Sequence, residues 1–352
     1  MRLSMSGFGP DRILIANDIG FSGCPLHRSI LFRAMKCAVT GASGFIGRAL
    51  TNHLRASGAA VRALSRRHPT GKDGQGVQWF QGDLLDADRM ALRTFLDDTD
   101  VLFHCAAELS DESAMENVHV EGTRRLIDDA RGRVRHWVQL SSCGVYGPVR
   151  EGLVTEASAL DPSDPYECTK LIAEQLVRQS AGEGAFTATV LRPSNVYGET
   201  MPNPSLRAWV GAVERGWFFF IGKPGSTATY VHVDDVAEAL CRCAEDDRAR
   251  GGIYNLCAGC TVETFVAAMC RALDRPMPRL RIPEPAARLA AVMVQRLPGF
   301  PLTRSRVDAL TGRARYTIDR IQHDLGFTPR ITAEEGLRRL IQQMQQESRR
   351  AA

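Results

Sequence analysis

Lysine is scarce in this sequence. Of 44 basic residues only Lys36, Lys72, Lys170 and Lys223 are lysine, so a site that needs an ammonium group has four candidates. Blocks of like charge are also missing. The net charge of +4 is spread over 352 residues, which argues against nucleic acid as a partner. No apolar run reaches the ~18–20 residues that a membrane span needs. No export signal with an apolar core and cleavage site is visible. The ten cysteines are therefore expected as reduced thiols, in the cytoplasm. Cys257 and Cys260 form a C-x-x-C, but no second pair follows at ligand spacing, and no metal is expected. There is no G-x-S-x-G elbow, and no His or Asp is placed to activate a serine, so a hydrolase is disfavoured.

What is present is ordinary for a globular enzyme: 44% hydrophobic and 24% charged residues. Residues 1–34 mix Gly, Pro and Ser with isolated apolar residues, without a sustained period, and are expected to be a poorly ordered N-terminal extension. From Lys36 the chain alternates short apolar runs with helical periods. Strands are expected at Cys37–Thr40, Ala60–Leu64, Val77–Gln81, Val101–Cys105, Val134–Leu140 and Phe186–Leu191. Helices are expected between them at Ile46–Ala56, Arg89–Leu96, Glu112–Ala130 and Pro165–Gln179. That alternation predicts an α/β fold, a doubly wound Rossmann sheet of parallel strands, over residues 35–191. Residues 192–352 change rhythm. Helical periods return at Asp234–Ala244, Val262–Leu273, Pro285–Leu297 and Ala333–Met344, and a short strand at Ile253–Leu256 is placed to rejoin the sheet. This half reads as a substrate-binding region over the carboxyl ends of the strands, where ligands of open α/β folds bind.

The segment Thr40-Gly41-Ala42-Ser43-Gly44-Phe45-Ile46-Gly47 follows the first strand and opens the first helix. Its glycines are spaced G-x-x-G-x-x-G. Gly41 permits a tight turn, Gly44 lets backbone approach a pyrophosphate, and Gly47 lets helix and sheet pack closely. The helix N-terminus adds unpaired N–H groups for phosphate. At the end of the second strand an acid would accept the ribose 2′-hydroxyl of NAD. Here Ser65-Arg66-Arg67 offers guanidinium groups suited to a 2′-phosphate, which points to NADP, with NAD left open. Asp83, in Gly82-Asp83-Leu84, is placed either to meet adenine or to cap the next segment.

Tyr166 and Lys170 stand at i and i+4, on one face of the helix that Pro165 begins. A free tyrosine has a pKa near ~10. A neighbouring ammonium and a cationic nicotinamide ring would both favour the phenolate and make it a working base. Leu140-Ser141-Ser142-Cys143-Gly144 ends the fifth strand. Ser142 is the candidate hydroxyl for the reacting oxygen of the substrate, while Ser141 fits a backbone role.

Taken together, these motifs resemble the extended short-chain dehydrogenase/reductase superfamily, in particular its NAD-dependent epimerase/dehydratase family, from Met35 to about Arg339. The resemblance implies a catalytic triad of Ser142, Tyr166 and Lys170. It implies dinucleotide contacts from Gly41, Ser43, Gly44, Phe45, Ile46, Gly47, Asp83 and Leu84, and from Cys105, Ala106 and Ala107 after the fourth strand. Pro193 and Ser194 would flank the nicotinamide, and Asn195 would touch substrate. Tyr230-Val231-His232-Val233-Asp234-Asp235 looks like the family's strand-to-helix segment, for which packing and capping suffice. Two departures stand out. His119 takes the place of a usual Asn, and Ala228 stands where sugar-nucleotide members carry an Arg for pyrophosphate. Arg207, Arg313 or Arg315 would then have to hold that group.

The implied function is an NAD(P)-dependent oxidoreductase or epimerase that moves a hydride at a hydroxyl or keto carbon, with Tyr166 as acid/base. A nucleotide sugar is the first expected substrate. A sterol-like or other apolar hydroxy/keto compound is the alternative, suggested by Ala228 and the apolar run Trp217–Phe220. Dehydratase chemistry lacks an acid/base pair beside Ser142, where Cys143 and Gly144 stand. A non-catalytic NADP-binding regulator is the rival class, and intact Tyr166 and Lys170 argue against it. The partner is a small molecule, and a homodimer is left open.

Overall fold

The computed structural model describes residues 35–67, 76–86, 89–294 and 304–351. The expected extension over residues 1–34 lies outside them. Seven parallel strands form the central sheet: β1 (Lys36–Thr40), β2 (Ala60–Ser65), β3 (Val77–Gln81), β4 (Thr99–His104), β5 (Val134–Leu140), β7 (Thr187–Pro193) and β12 (Ile253–Leu256), in the order β12-β7-β5-β4-β1-β2-β3. The order reverses between β1 and β4, so the crevice at their carboxyl ends is the switch point where ligands bind in this Rossmann arrangement. The strands are apolar on both faces, as helices cover both. Val39, Val101, Phe103 and Val138 pack on one side with Leu50 and Leu54 of α1 (Phe45–Ala56). Ala38, Leu102 and Trp137 pack on the other with Phe95 of α2 (Met90–Leu96).

Three differences from the sequence pattern and one agreement, the return of Ile253–Leu256 to the sheet, are informative. The stretch 112–130 is not one helix. It runs as α3 (Glu112–Glu116), a π-helical turn (Asn117–Glu121) and α4 (Gly122–Ala130). Such π-turns concentrate at functional sites, and periodicity alone cannot show one inserted residue. The catalytic-candidate helix α5 (Pro165–Gly182) is three residues longer than its apolar period. The segment Ile253–Leu256 pairs in register with Val190–Pro193 at the sheet edge. A short strand not anticipated from sequence, β15 (Arg313–Tyr316), pairs with β6 (Glu151–Val154).

A second core lies in the C-terminal half. It contains Leu206, Trp209 and Val210 of α6 (Pro204–Glu214), Phe265 and Met269 of α8 (Val262–Leu273), and Leu337, Leu340 and Ile341 of α12 (Ala333–Ala351). Phe218 and Phe220 belong to this core. The apolar run Trp217–Phe220 is thus mostly packing material, and only Trp217, 70% exposed, faces outward. Helix α7 (Val233–Glu245) returns to the sheet. His232 caps it by accepting the Asp234 N–H at 3.2 Å, and Asp235 accepts the N–H groups of Arg330 and Ile331. The motif read as packing and capping does that work here.

One buried ion pair joins these layers. Arg192 on β7 donates to both carboxylate oxygens of Glu174 on α5, at 2.5 and 3.0 Å, and both side chains are almost completely enclosed. Glu174 also accepts the Ser141 hydroxyl at 2.8 Å. Arg192 donates to the Tyr146 hydroxyl, which donates to Asn255 on β12. Removing one partner of such a pair strands the other charge without water. Glu174→Ala should therefore lower the unfolding free energy by about 3–5 kcal/mol, read from urea denaturation followed by tryptophan fluorescence.

Candidate active site

The glycine loop after β1 is shaped by contacts that tolerate no side chain. Gly41 has φ +66°, and a Cβ there would lie 2.7 Å from the Ala106 nitrogen. A Cβ on Gly47 would lie 2.1 Å from the Gly41 carbonyl oxygen. The loop is thus pressed against the segment after β4, and α1 starts directly on top of it. Gly44 is the N-cap of α1, with no side-chain cap and no acidic residue in the first turn. The free amides and the positive end of the helix dipole therefore face the cleft uncompensated.

That cleft is lined by Gly41, Ser43, Gly44, Arg66, Asp83, Leu84, Cys105, Ala106 and Ala107, all named from sequence, and also by Thr40, Glu108 and Val118, which were not. Phe45 and Ile46 do not line it. Their side chains turn into the two cores, because an amphipathic helix buries that face, and only their backbone N–H groups are placed for a phosphate. Gly47 is likewise a packing position. The features above fit a dinucleotide: no side chain fills the cradle, and the charges at the end of β2 are the exposed Arg66 and Arg67, neither in an ion pair among the described residues, of which Arg66 lines the cleft. Asp83 accepts the Leu85 N–H at 3.0 Å, which fixes its carboxylate in the turn that lines the cleft.

Ser142 follows β5 and begins a 3-10 turn (Cys143–Tyr146), its Oγ accepting the Gly144 N–H at 3.0 Å. Tyr166 lies in the first turn of α5, which Asp164 caps. Lys170, one turn later, is buried and donates to the Leu140 carbonyl at 2.5 Å. The Tyr166 shift runs opposite to the one a neighbouring Lys170 ammonium would produce. Burial, with the Asp164 carboxylate adding to it, pushes the Tyr166 phenol up to about 12. Burial brings Lys170 itself down to about 8. Burial also raises the Cys105 thiol to about 12 and Cys143 well above its usual range, so neither is an activated nucleophile.

His119 sits in the π-turn, and its ring meets Tyr166 edge to face at 5.6 Å. Its Nε2 accepts the Glu108 N–H at 2.9 Å, so the proton is on Nδ1, which donates to Thr169 Oγ1 at 2.8 Å. Thr169 in turn donates its own hydroxyl to the Pro165 carbonyl at 2.7 Å. Burial, then the Lys170 charge, lowers His119 to about 4, so it is neutral at physiological pH. The imidazole thus links the loop after β4 to the helix of Tyr166. Pro193 ends β7, Ser194 donates its N–H to the Leu256 carbonyl at 2.8 Å, and the exposed Asn195 is held by Thr229. Lys170, Pro193 and Ser194 are not among the residues lining the glycine-loop cleft.

The tight Gly47 contact gives a direct test of the cradle. Gly47→Ala should weaken dinucleotide binding by tenfold or more, because loop and helix must separate to admit the methyl group. Isothermal titration with NADP(H) checks this, and binding within twofold of the native protein would contradict it.

Comparison with known proteins places the chain. A profile of the NAD dependent epimerase/dehydratase family matches residues 37–257. A 4-hydroxy-2-methyl-3-oxo-4-farnesyl-3,4-dihydroquinoline-1-oxide ketoreductase of Stigmatella aurantiaca is 32% identical, over 88% of this chain and 96% of its own. Sterol demethylase protein B of Methylococcus capsulatus is 31% identical, over 85% and 95%. Among solved structures, MoeE5 in complex with UDP-glucuronic acid and NAD superposes with a TM-score of 0.70 at 26% identity, over 89% of this chain and 99% of that one. With the glycine cradle, the sheet order and a matched profile spanning more than half its length, this chain belongs to the NAD-dependent epimerase/dehydratase family.

Proposed function

We propose that this chain is an NADP(H)-dependent oxidoreductase that interconverts a ketone and a secondary alcohol on a largely apolar ring compound. The observation that carries the substrate class is the shortage of partners for a pyrophosphate. Ala228 is buried and offers none. Arg207 is engaged by Glu347 at 2.7 Å and by the Glu199 carbonyl. Arg313 donates to the carbonyls of Lys223 and Pro224. Of the three arginines that could replace the missing one, only Arg315 is uncommitted among the described residues. A doubly charged group needs more than one such donor. Two relatives above 30% identity have names that specify a farnesylated quinoline ketone and a sterol, which agrees with an apolar substrate.

A nucleotide sugar is the second reading. It is favoured by the cleft of about 850 Å³ that Arg313 and Arg315 line together with Thr227, Thr229 and Thr328, and by the UDP-glucuronic acid in the MoeE5 complex.

In the proposed reaction Ser142, its Oγ already accepting the Gly144 N–H, directs its own proton to the substrate oxygen. A bound nicotinamide supplies or accepts the hydride. Tyr166 is protonated in this structure, so it stands ready to donate to a ketone oxygen as the carbon is reduced. In the opposite direction it must first lose that proton. Lys170 lies one turn away with a pKa near the working range, and its ammonium favours the phenolate.

The competition between readings is decided by ligand protection. Decalone or an androstane ketone, with NADP+ present, should raise the melting temperature, while UDP and dTDP at millimolar concentration should not. Protection by a nucleoside diphosphate and none by the ketones would reverse the assignment. For the cofactor, Arg66 should hold the 2′-phosphate. NADPH should bind more tightly than NADH, and Arg66→Ala should reduce that preference by about tenfold, the worth of one charge-assisted contact, as measured by fluorescence titration.

A further inference from the structure

A second charged group enters the proposed site from the residue next to Tyr166. Glu167 is half-buried in the first turn of α5. One of its oxygens, Oε2, accepts the N–H of Ser163 at 2.8 Å and the Ser163 hydroxyl at 3.1 Å. Those bonds fix the carboxylate plane and close the helix start in the manner of a capping box. They leave Oε1 with no hydrogen-bond partner among the described residues.

The position of Oε1 is set by Gly144. A Cβ on Gly144 would lie 3.0 Å from Glu167 Cγ, 3.1 Å from Glu167 Oε1 and 3.3 Å from Ser142 Oγ. The glycine thus leaves a gap too tight for one more carbon atom, and both the carboxylate oxygen and the Ser142 hydroxyl border it. Capping Ser163 explains Oε2. It explains neither the bare Oε1 nor the carboxylate's approach to Ser142. A lone, half-buried carboxylate oxygen takes a donor readily, and repels another anion more strongly than one fully in water.

We propose that Glu167 is a specificity-determining residue. Its Oε1 accepts a hydrogen bond from a hydroxyl or N–H on the carbon next to the reacting carbon, and its charge turns away substrates with a carboxylate at that position. Groups that flank one small gap can reach the two oxygens of a vicinal hydroxy-ketone or diol at once, Ser142 holding the reacting oxygen and Glu167 its neighbour. Gly144 serves the same end by leaving room. The inference rests on the reading of Ser142 and Tyr166 as the reacting site.

Three probes on one ring separate the possibilities: cyclohexanol, trans-cyclohexane-1,2-diol and trans-2-hydroxycyclohexanecarboxylate. Each is oxidised at a secondary alcohol with NADP+, and NADPH formation is followed. The quantity compared is the ratio of kcat/KM values within each protein, so a general loss of activity cancels. The native protein should favour the diol over cyclohexanol by about tenfold, the worth of one hydrogen bond to a charged acceptor, and should disfavour the carboxylate. Glu167→Leu should bring the diol ratio to within about twofold of unity. Glu167→Gln, which keeps an acceptor and removes the charge, should raise the relative rate of the carboxylate about tenfold while keeping part of the diol preference. Gly144→Ala should mimic Glu167→Leu by displacing the carboxylate. An unchanged diol ratio in a folded Glu167→Leu protein overturns the proposal. If the native protein oxidises none of the three, protection of the NADP+-loaded protein from thermal unfolding by the same compounds reads recognition without turnover. Equal protection by diol and carboxylate there overturns it as well. Failure of the underlying reading looks different: Tyr166→Phe would then keep full turnover of a ketone or alcohol that the native protein does use.

Discussion

The arrangement of this molecule depends on two charges that are out of reach of water. Arg192 and Glu174 cost several kcal/mol each to bury, and their attraction offsets that only when every remaining hydrogen-bonding position is filled. Here each is. The carboxylate takes both guanidinium contacts and the Ser141 hydroxyl, and the guanidinium also reaches Tyr146, which reaches Asn255. Glu156 accepts the Asn255 backbone N–H at 2.8 Å, while Asn255 Nδ2 has no partner among the described residues. The consequence is positional. The pair locks α5, which carries Tyr166 and Lys170, against the ends of β5, β7 and β12. Ser142 stands one residue from one anchor and Pro193 one residue from another.

A second buried chain does the same on the cofactor side, without net charge. Its proton directions can be assigned throughout. The Ala106 N–H points to Thr40 Oγ1, the Thr40 hydroxyl to His104 Nδ1, His104 Nε2–H to Thr123, and the Thr123 hydroxyl to the His119 carbonyl. Burial holds His104 neutral, down to about 3, which keeps its one acceptor and one donor in these roles. The π-turn lets the His119 backbone join this chain while its side chain joins Thr169 and Glu108. The glycine loop and the helix of Tyr166 are therefore coupled through uncharged hydrogen bonds. The imidazole of His119 makes that coupling in this chain.

Local features were legible in the sequence, and distant pairings were not. The glycine spacing announces its own turn and helix start, because those constraints act within eight residues. The Tyr166–Lys170 spacing needs only the helical repeat. Strand positions came within two residues, since parallel strands buried on both faces show as apolar runs. The Arg192–Glu174 pair has no local signature, for either residue alone reads as a surface charge. The π-turn hides inside an amphipathic period. The run Trp217–Phe220 looked like a substrate wall, yet two of its rings were needed to fill a second core. The direction of the Tyr166 shift could not be read either. It turns on how much water the fold removes from phenol and ammonium, and that depends on layers contributed by residues far along the chain.

The sheet edge has a temporal consequence. Strands β1 to β5 and the whole glycine cradle are made from the first 140 residues of the chain, in pairings of modest sequence separation. β12 arrives more than a hundred residues later, yet it supplies Asn255 and the carbonyl that seats Ser194. During synthesis from the N-terminus, the cradle can therefore assemble while the far half of the crevice is still unmade. A nascent chain paused near residue 200 would hold a nearly finished nucleotide cleft beside an open sheet edge at β7. Until β12 covers it, that edge is the part of the molecule most exposed to pairing with another chain.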